Sequence, residues 1–280
     1  MLSGVMTCDE IDRALERVGR QDDADIDLAE AALLLAARDR PGTALDDYRD
    51  HLAALAAITR RVADGAGDLA ARIAAINAAV FETHGYRGDA VSYDDLQNAN
   101  LMAVIDRRKG LPVAISILYI HCARAQGWPI DGLNFPAHFL VCLRGDDGHA
   151  IVDAFHGGQM RSTDELQRII EAYLGEGAEL APEHCMPVGN RDVLIRLQNN
   201  IKIRALRSGD TARAEASLAS MTLFAPGAAM AHCELADLDV RRGALKGAVE
   251  RLERFVAGCG DPTQRHIAED VLGRMRRHLH

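Results

Sequence analysis

The residues able to do chemistry lie between Lys109 and Phe155. His138 opens a strand-like run, Pro136-Ala137-His138-Phe139-Leu140-Val141, and Asp153 sits in a second, Ala150-Ile151-Val152-Asp153-Ala154-Phe155. Ahead of both, Gly110-Leu111-Pro112 leads into an apolar helical run, Val113 to Ala125, closed by Gly127-Trp128-Pro129. Helix, then a strand with His, then a strand with Asp is the order of a thiol acyl-transfer site. In such a site the Cys stands at the helix N-terminus, where the positive end of the macrodipole lowers its pKa. Here that place is held by Pro112, whose ring has no nucleophilic atom.

No other side chain is an obvious replacement. Cys122 is ten residues beyond Pro112, roughly 15 Å along the helix axis and at its wrong end. Cys142 is four residues along the strand from His138, roughly 13 Å away. Ser116 is one turn beyond Pro112 on nearly the same face, but inside the helix, where a small packing role is expected. If His138 and Asp153 lie on adjacent antiparallel strands, their side chains meet across the pair. The Asp would then orient the imidazole, as a structural contact or as an acid–base pair. His138, Asp153 and His156 are also metal-ligand types, with His149 and His84 as further candidates. Residues three apart on a strand point to opposite faces, however, so Asp153 and His156 are not expected to share an ion. No metal site and no cofactor are expected.

This arrangement resembles the transglutaminase-like superfamily, whose core runs Gly-x-Cys, apolar helix, Gly-Ile-Pro, a His and finally an Asp. Gly110, Gly127-Trp128-Pro129, His138 and Asp153 fit these landmarks, with Pro112 on the Cys. The departures look like the bacterial SirB-type branch, which joins such a core to a tetratricopeptide-like tail. Four motifs carry that likeness, starting with Tyr93-Asp94-Asp95-Leu96-Gln97-Asn98-Ala99-Asn100-Leu101 and Arg107-Arg108-Lys109-Gly110-Leu111-Pro112. The other two are Pro136-Ala137-His138-Phe139-Leu140 and Val152-Asp153-Ala154-Phe155-His156-Gly157-Gly158. The resemblance implies a papain-like core with Asn98, Asn100, Arg107, Arg108, Pro112, Ser116 and His156 lining the cleft around His138 and Asp153. Read without it, Asn98 and Asn100 are turn formers, and Arg107-Arg108-Lys109 is a solvated basic face or holds one arginine paired to Asp94, Asp95 or Asp106. Gly157-Gly158 supplies a turn with positive φ.

The surrounding elements read as mostly helical. A stripe of Ala29, Leu33 and Ala36-Ala37 ends at Pro41-Gly42, and Leu52, Leu55 and Ile58 mark a helix over 45–63. Asp68, after a Gly-rich breaker, is placed to cap a third helix ending near Phe81. Gly85 to Asn100 reads as loop, 101–108 as a short helix, and Gly145-Asp146-Asp147-Gly148 as a hairpin turn. Ser162-Thr163 is placed to cap a helix over Asp164–Leu174, and 175–187 reads as a connector. From Asn190 onward, Arg207-Ser208-Gly209-Asp210 and Arg241-Arg242-Gly243-Ala244 stand 34 residues apart, the tetratricopeptide period.

The net charge of −9 argues against nucleic-acid binding, which needs a cationic surface. Six scattered cysteines predict neither a disulfide framework nor a zinc motif. No signal peptide is read near the N-terminus and no run approaches the roughly 20 apolar residues of a membrane span, so a cytoplasmic location is expected. The predicted fold is α+β and mainly helical. Its parts are an N-terminal helical part of the core (1–84), a transglutaminase-like helix-and-sheet core (85–187) and tetratricopeptide-like repeats (188–280). The predicted function is a non-catalytic interaction or regulatory module, with a protein or peptide partner on the repeats. The alternative is an amide hydrolase or acyltransferase using His138 and Asp153 without a thiol.

Overall fold

A computed structural model describes residues 5–277 except 66, 134 and 137. Ala137, part of the His138 motif, lies outside the described residues. The chain packs as two units, Met1–Ile11 with Asp22–Leu197, and Asp12–Gln21 with Gln198–His280. The division falls inside a helix, ten residues past the position read from sequence; the expected 85–187 part lies wholly in the first unit, whereas the expected 1–84 part gives residues 12–21 to the second.

In the first unit, helices α2 (Leu28–Arg38), α3 (Asp46–Val62), α4 (Leu69–Asn77) and α5 (Leu101–Arg107) surround α6 (Pro112–Arg124). Residues Pro112 to Ile120 of α6 are all buried, which explains why this helix is apolar on every side. The capping expectations rest on visible hydrogen bonds. Asp68 accepts from the Ala71 N–H at 2.7 Å, and Ser162 and Glu165 form a reciprocal capping box at the start of α7 (Thr163–Leu174). A π-helical turn, Ala78–Thr83, prolongs α4 to the end of the expected helix. Further segments that the sequence reading left unassigned are structured: α1 (Cys8–Arg20) and the strands of the sheet outside the hairpin.

That sheet is antiparallel and five-stranded, ordered β6-β5-β4-β3-β7. Its strands are β3 (Ile130–Leu133), β4 (Leu140–Gly145), β5 (Gly148–Asp153), β6 (Gln159–Met160) and β7 (Pro187–Val188). A two-residue turn, Asp146-Asp147, joins β4 to β5 with Gly145 opposite Gly148. A separate parallel pair, β1 (Arg87–Gly88) and β2 (Lys109–Gly110), ties the long loop to the start of α6.

The second unit is helical. After α8 (Asn190–Arg207) come α9 (Thr211–Phe224), α10 (Ala229–Arg241), α11 (Leu245–Gly258) and α12 (Pro262–Arg277). Its core joins Cys233, Ala236, Ala248, Leu252, Phe255 and Leu272, small residues alternating with large ones so that neighbouring helices pack closely. No described helix is long and apolar enough to cross a membrane.

Candidate functional site

Asp153 is the last residue of β5 and the centre of the site. His138 is not on a strand, contrary to the sequence expectation. It occupies a bend two residues before β4, and its backbone N–H donates to the Phe135 carbonyl at 3.1 Å. From there its Nε2 lies 2.9 Å from Asp153 Oδ1. The nitrogen is buried against the carboxylate at this distance. Arg196 donates from Nη2 to the His138 carbonyl at 2.9 Å and lies over the Phe139 ring, which fixes the bend.

The turn after β5 overturns the expectation that Asp153 and His156 diverge. Strand geometry stops at Asp153, and the Gly158 N–H donates back to the Asp153 carbonyl at 2.9 Å. Gly157 and Gly158 both have φ near +75°, the left-handed conformation. A Cβ on Gly158 would also fall 1.9 Å from Asn77 Oδ1, so a side chain there is excluded twice over. In this turn the His156 N–H donates to Asp153 Oδ1 at 3.2 Å, and His156 Nδ1 lies 2.8 Å from Oδ2.

Arg161 completes the set. It follows β6, and its Nη2 and Nε donate to Asp153 Oδ2 at 2.8 and 3.1 Å. Burial alone would raise the Asp153 carboxyl. His138, Arg161 and His156 outweigh it and hold the group well below the usual carboxylate range. A cleft of about 440 Å³ opens over the cluster, lined by His138, Asp153, His156, Arg161, Glu165, Arg168, Ile169 and Ala172.

Of the residues expected in this cleft, only His138, Asp153 and His156 are there. Pro112 takes the first position of α6 and is buried, with no capping side chain at that end. Ser116 is 0 % exposed and its Oγ has no hydrogen-bond partner, so it is sealed in the core. Asn100 caps α5, accepting from the Ala103 N–H at 3.0 Å and donating to the Ala36 carbonyl at 3.1 Å. Asn98 is also structural, donating to the Ser92 carbonyl at 2.6 Å.

The basic cluster turns inward. Arg107 donates to Asn98 Oδ1 at 3.1 Å and pairs with Asp95 at 3.1 Å and Asp89 at 3.4 Å. Asp95 was a candidate partner from sequence; Asp89 was missed. Lys109 Nζ lies 2.9 Å from Asp89. Burial would raise the Asp89 carboxyl, but Lys109, Ser92 and Asn98 hold it down at about 2. Arg108 belongs to a different group and is the only described non-glycine residue with positive φ. Its Nη1 donates to the Tyr86 hydroxyl at 2.6 Å and lies 2.7 Å from His51 Nε2. His84 packs edge-on to His51 there, and His149 sits opposite Arg144 near the hairpin turn, so neither joins the Asp153 cluster.

Sequence reasoning missed Arg161, Glu165 and Arg168. The available signal was weak: an arginine just before a Ser-x-x-Glu capping box, with Glu165 and Arg168 on the first turns of the helix that follows.

A family profile agrees with the architecture of the first unit. The profile of the transglutaminase-like superfamily matches residues 46–199, which hold α3, α6, the sheet and every residue of the cluster. A UPF0162 protein of Xylella fastidiosa (strain 9a5c) is 31 % identical over 185 residues, covering 64 % of this chain and 65 % of that protein. The match therefore spans just under two thirds of the relative's length. Mouse F-box only protein 21 is 31 % identical over 104 residues, 34 % of this chain and 17 % of that protein. Among solved structures, menin, described with its binding site for Mixed Lineage Leukemia (MLL) protein, aligns with a TM-score of 0.45 and 11 % identity. That alignment covers 89 % of this chain and 69 % of that one. With the profile spanning more than half of its length, the chain belongs to the transglutaminase-like superfamily.

Proposed function

We propose that this is a non-catalytic transglutaminase-like protein of the SirB type, acting as an interaction or regulatory module. The observation that carries the reading is Pro112 at the first position of α6, together with a His138 cleft that no cysteine lines. Thiol chemistry at the usual place has no atom to start from. The intended partner is a protein or peptide held by the second unit, read as tetratricopeptide-like. Supporting that reading, α9 and α11 begin at Thr211 and Leu245, one tetratricopeptide period apart. A groove of about 500 Å³ in this unit is lined by His232, Arg251, Arg254, Phe255 and Asp261 among others; Arg251 is paired with Asp239 at 3.1 Å, and Arg254 is the lining charge that would meet an acidic group of a peptide.

The test is crosslinking of the purified full chain in its native lysate, followed by the same experiment with Arg254→Glu. A partner crosslinked to α10 or α11 and lost on charge reversal supports the reading. Recovery of no partner, or one indifferent to Arg254, overturns it.

A second reading is kept by one observation: the cleft does open against His138. A hydrolase using His138 as general base, oriented by Asp153, would act on an amide through water. Amide turnover that survives thiol alkylation and disappears in His138→Ala would establish it, and absence of turnover across a library of peptide amides would remove it.

A further inference from the structure

The group His138, Asp153 and His156 has a property that neither reading uses. Their ligand atoms, one from each residue, all lie within 4.8 Å of one another. Two imidazoles and one carboxylate are a donor set suited to zinc-class cations, with room for a fourth ligand. From this geometry we propose that the three residues bind a divalent transition-metal cation, with the remaining coordination position facing the cleft.

Four observations support the site. Tetrahedral ligation at about 2.0–2.1 Å separates neighbouring donor atoms by roughly 3.4 Å. His138 Nε2 lies 2.9 Å from Oδ1 and His156 Nδ1 2.8 Å from Oδ2, so whichever oxygen ligates has one imidazole beside it, while the widest donor separation, up to 4.8 Å, must close toward that value as the ion binds. His138 Nε2 is buried beside the Asp153 carboxylate, so a cation held there would be bound between an imidazole and an anion and shielded from water.

The third observation concerns the carboxylate. Arg161 binds Oδ2 through two nitrogens, at 2.8 and 3.1 Å, and so fixes the Asp153 plane as an outer partner commonly does for a metal ligand. Its positive charge opposes a cation, and Glu165, 3.5 Å from Arg161 Nη1, offsets part of that charge. Fourth, access exists: the His156 side chain is 53 % exposed at the mouth of the cleft, while that of Asp153 is 1 % exposed at its floor.

This inference concerns the first unit alone and stands whether or not the helical unit binds a peptide. The test strips the purified full chain with a chelator and titrates it with cobalt(II), whose visible absorption reports nitrogen and oxygen ligation, then displaces the cobalt with zinc. The expected result is one equivalent bound, zinc displacing cobalt, and affinity reduced by about 100-fold in His156→Ala. The control His149→Ala, at the far end of β5, should leave binding unchanged.

His156→Asn is the second variant, because an amide can still donate to Asp153 while lacking the imidazole nitrogen; it should lose the cobalt signal with the fold retained by circular dichroism. Absence of a cobalt spectrum, or binding unaffected by either His156 variant, overturns the site. Loss of binding in His149→Ala would place the ion elsewhere and overturn it equally.

Discussion

His156 and Asp153 are three residues apart, yet His156 Nδ1 lies 2.8 Å from Asp153 Oδ2 and the His156 N–H reaches the other oxygen at 3.2 Å. A continuing strand would have sent the two side chains to opposite faces. The chain instead leaves the sheet at Asp153, and two left-handed glycines turn it back, so that one buried carboxylate collects two imidazoles and a guanidinium.

Removing the carboxylate should therefore cost far more than removing one partner. Asp153→Ala strands Arg161, only 15 % exposed, and His138 without their anion, and is expected to lose about 3–5 kcal/mol. His156→Ala deletes a contact whose imidazole is 53 % exposed, and should lose under about 1 kcal/mol. Urea denaturation of both variants checks the contrast, and equal losses would show that Asp153 is not the hub.

Stability should fall with acid through His51. Burial first, then the Arg108 charge and His84, lower its pKa from 6.5 to about 4. Protonated His51 would set a charge against the guanidinium 2.7 Å away. The unfolded chain binds this proton more readily than the folded one, so the contribution is present above about 6.5 and is lost as pH falls toward about 4. His84, also lowered by burial and Arg108, adds in the same direction. Denaturation midpoints between pH 4.5 and 7 should slope upward with pH, and His51→Gln should flatten that slope.

Thiol reagents should discriminate sharply among the cysteines. Burial pushes the Cys122 thiol up to about 12 and seals it in α6, whereas Cys8 is exposed. Mass spectrometry after brief iodoacetamide treatment of the native protein should find Cys8 modified and Cys122 intact, with Cys122 reacting only in denaturant. Early modification of Cys122 would contradict its burial.

Gly88 should tolerate no side chain. A Cβ there would lie 2.5 Å from the Phe155 ring, which in turn packs edge-on to His138 with ring centroids 6.1 Å apart. Gly88→Ala is expected to cost about 1–3 kcal/mol and to move the His138 ring signals in a two-dimensional NMR spectrum. Unchanged His138 resonances would show that the loop and the site are uncoupled.

The local rules of the chain were legible in its sequence. Apolar spacing marked α3 and α6, Asp68 and Ser162 announced the starts of α4 and α7, Asp146-Asp147 marked the hairpin, and Pro112 at the head of α6 showed where a nucleophile is missing. These signals depend on neighbours a few residues away, which is why they can be read without a structure. The short strands β1, β2, β6 and β7 could not, because two residues carry no period and pair only with distant segments. The same holds for the site. Asn100 looked like a cleft residue and caps a helix; Arg108 looked like a surface charge and meets Tyr86 and His51. Arg161 was not singled out from sequence and anchors Asp153. Composition and spacing decided which elements form and where they end, because hydrogen-bonded turns and caps are local. Which side chains share a buried carboxylate was decided by tertiary packing, since that depends on where β5 stops and on which element, α4 through Asn77, holds the turn that follows.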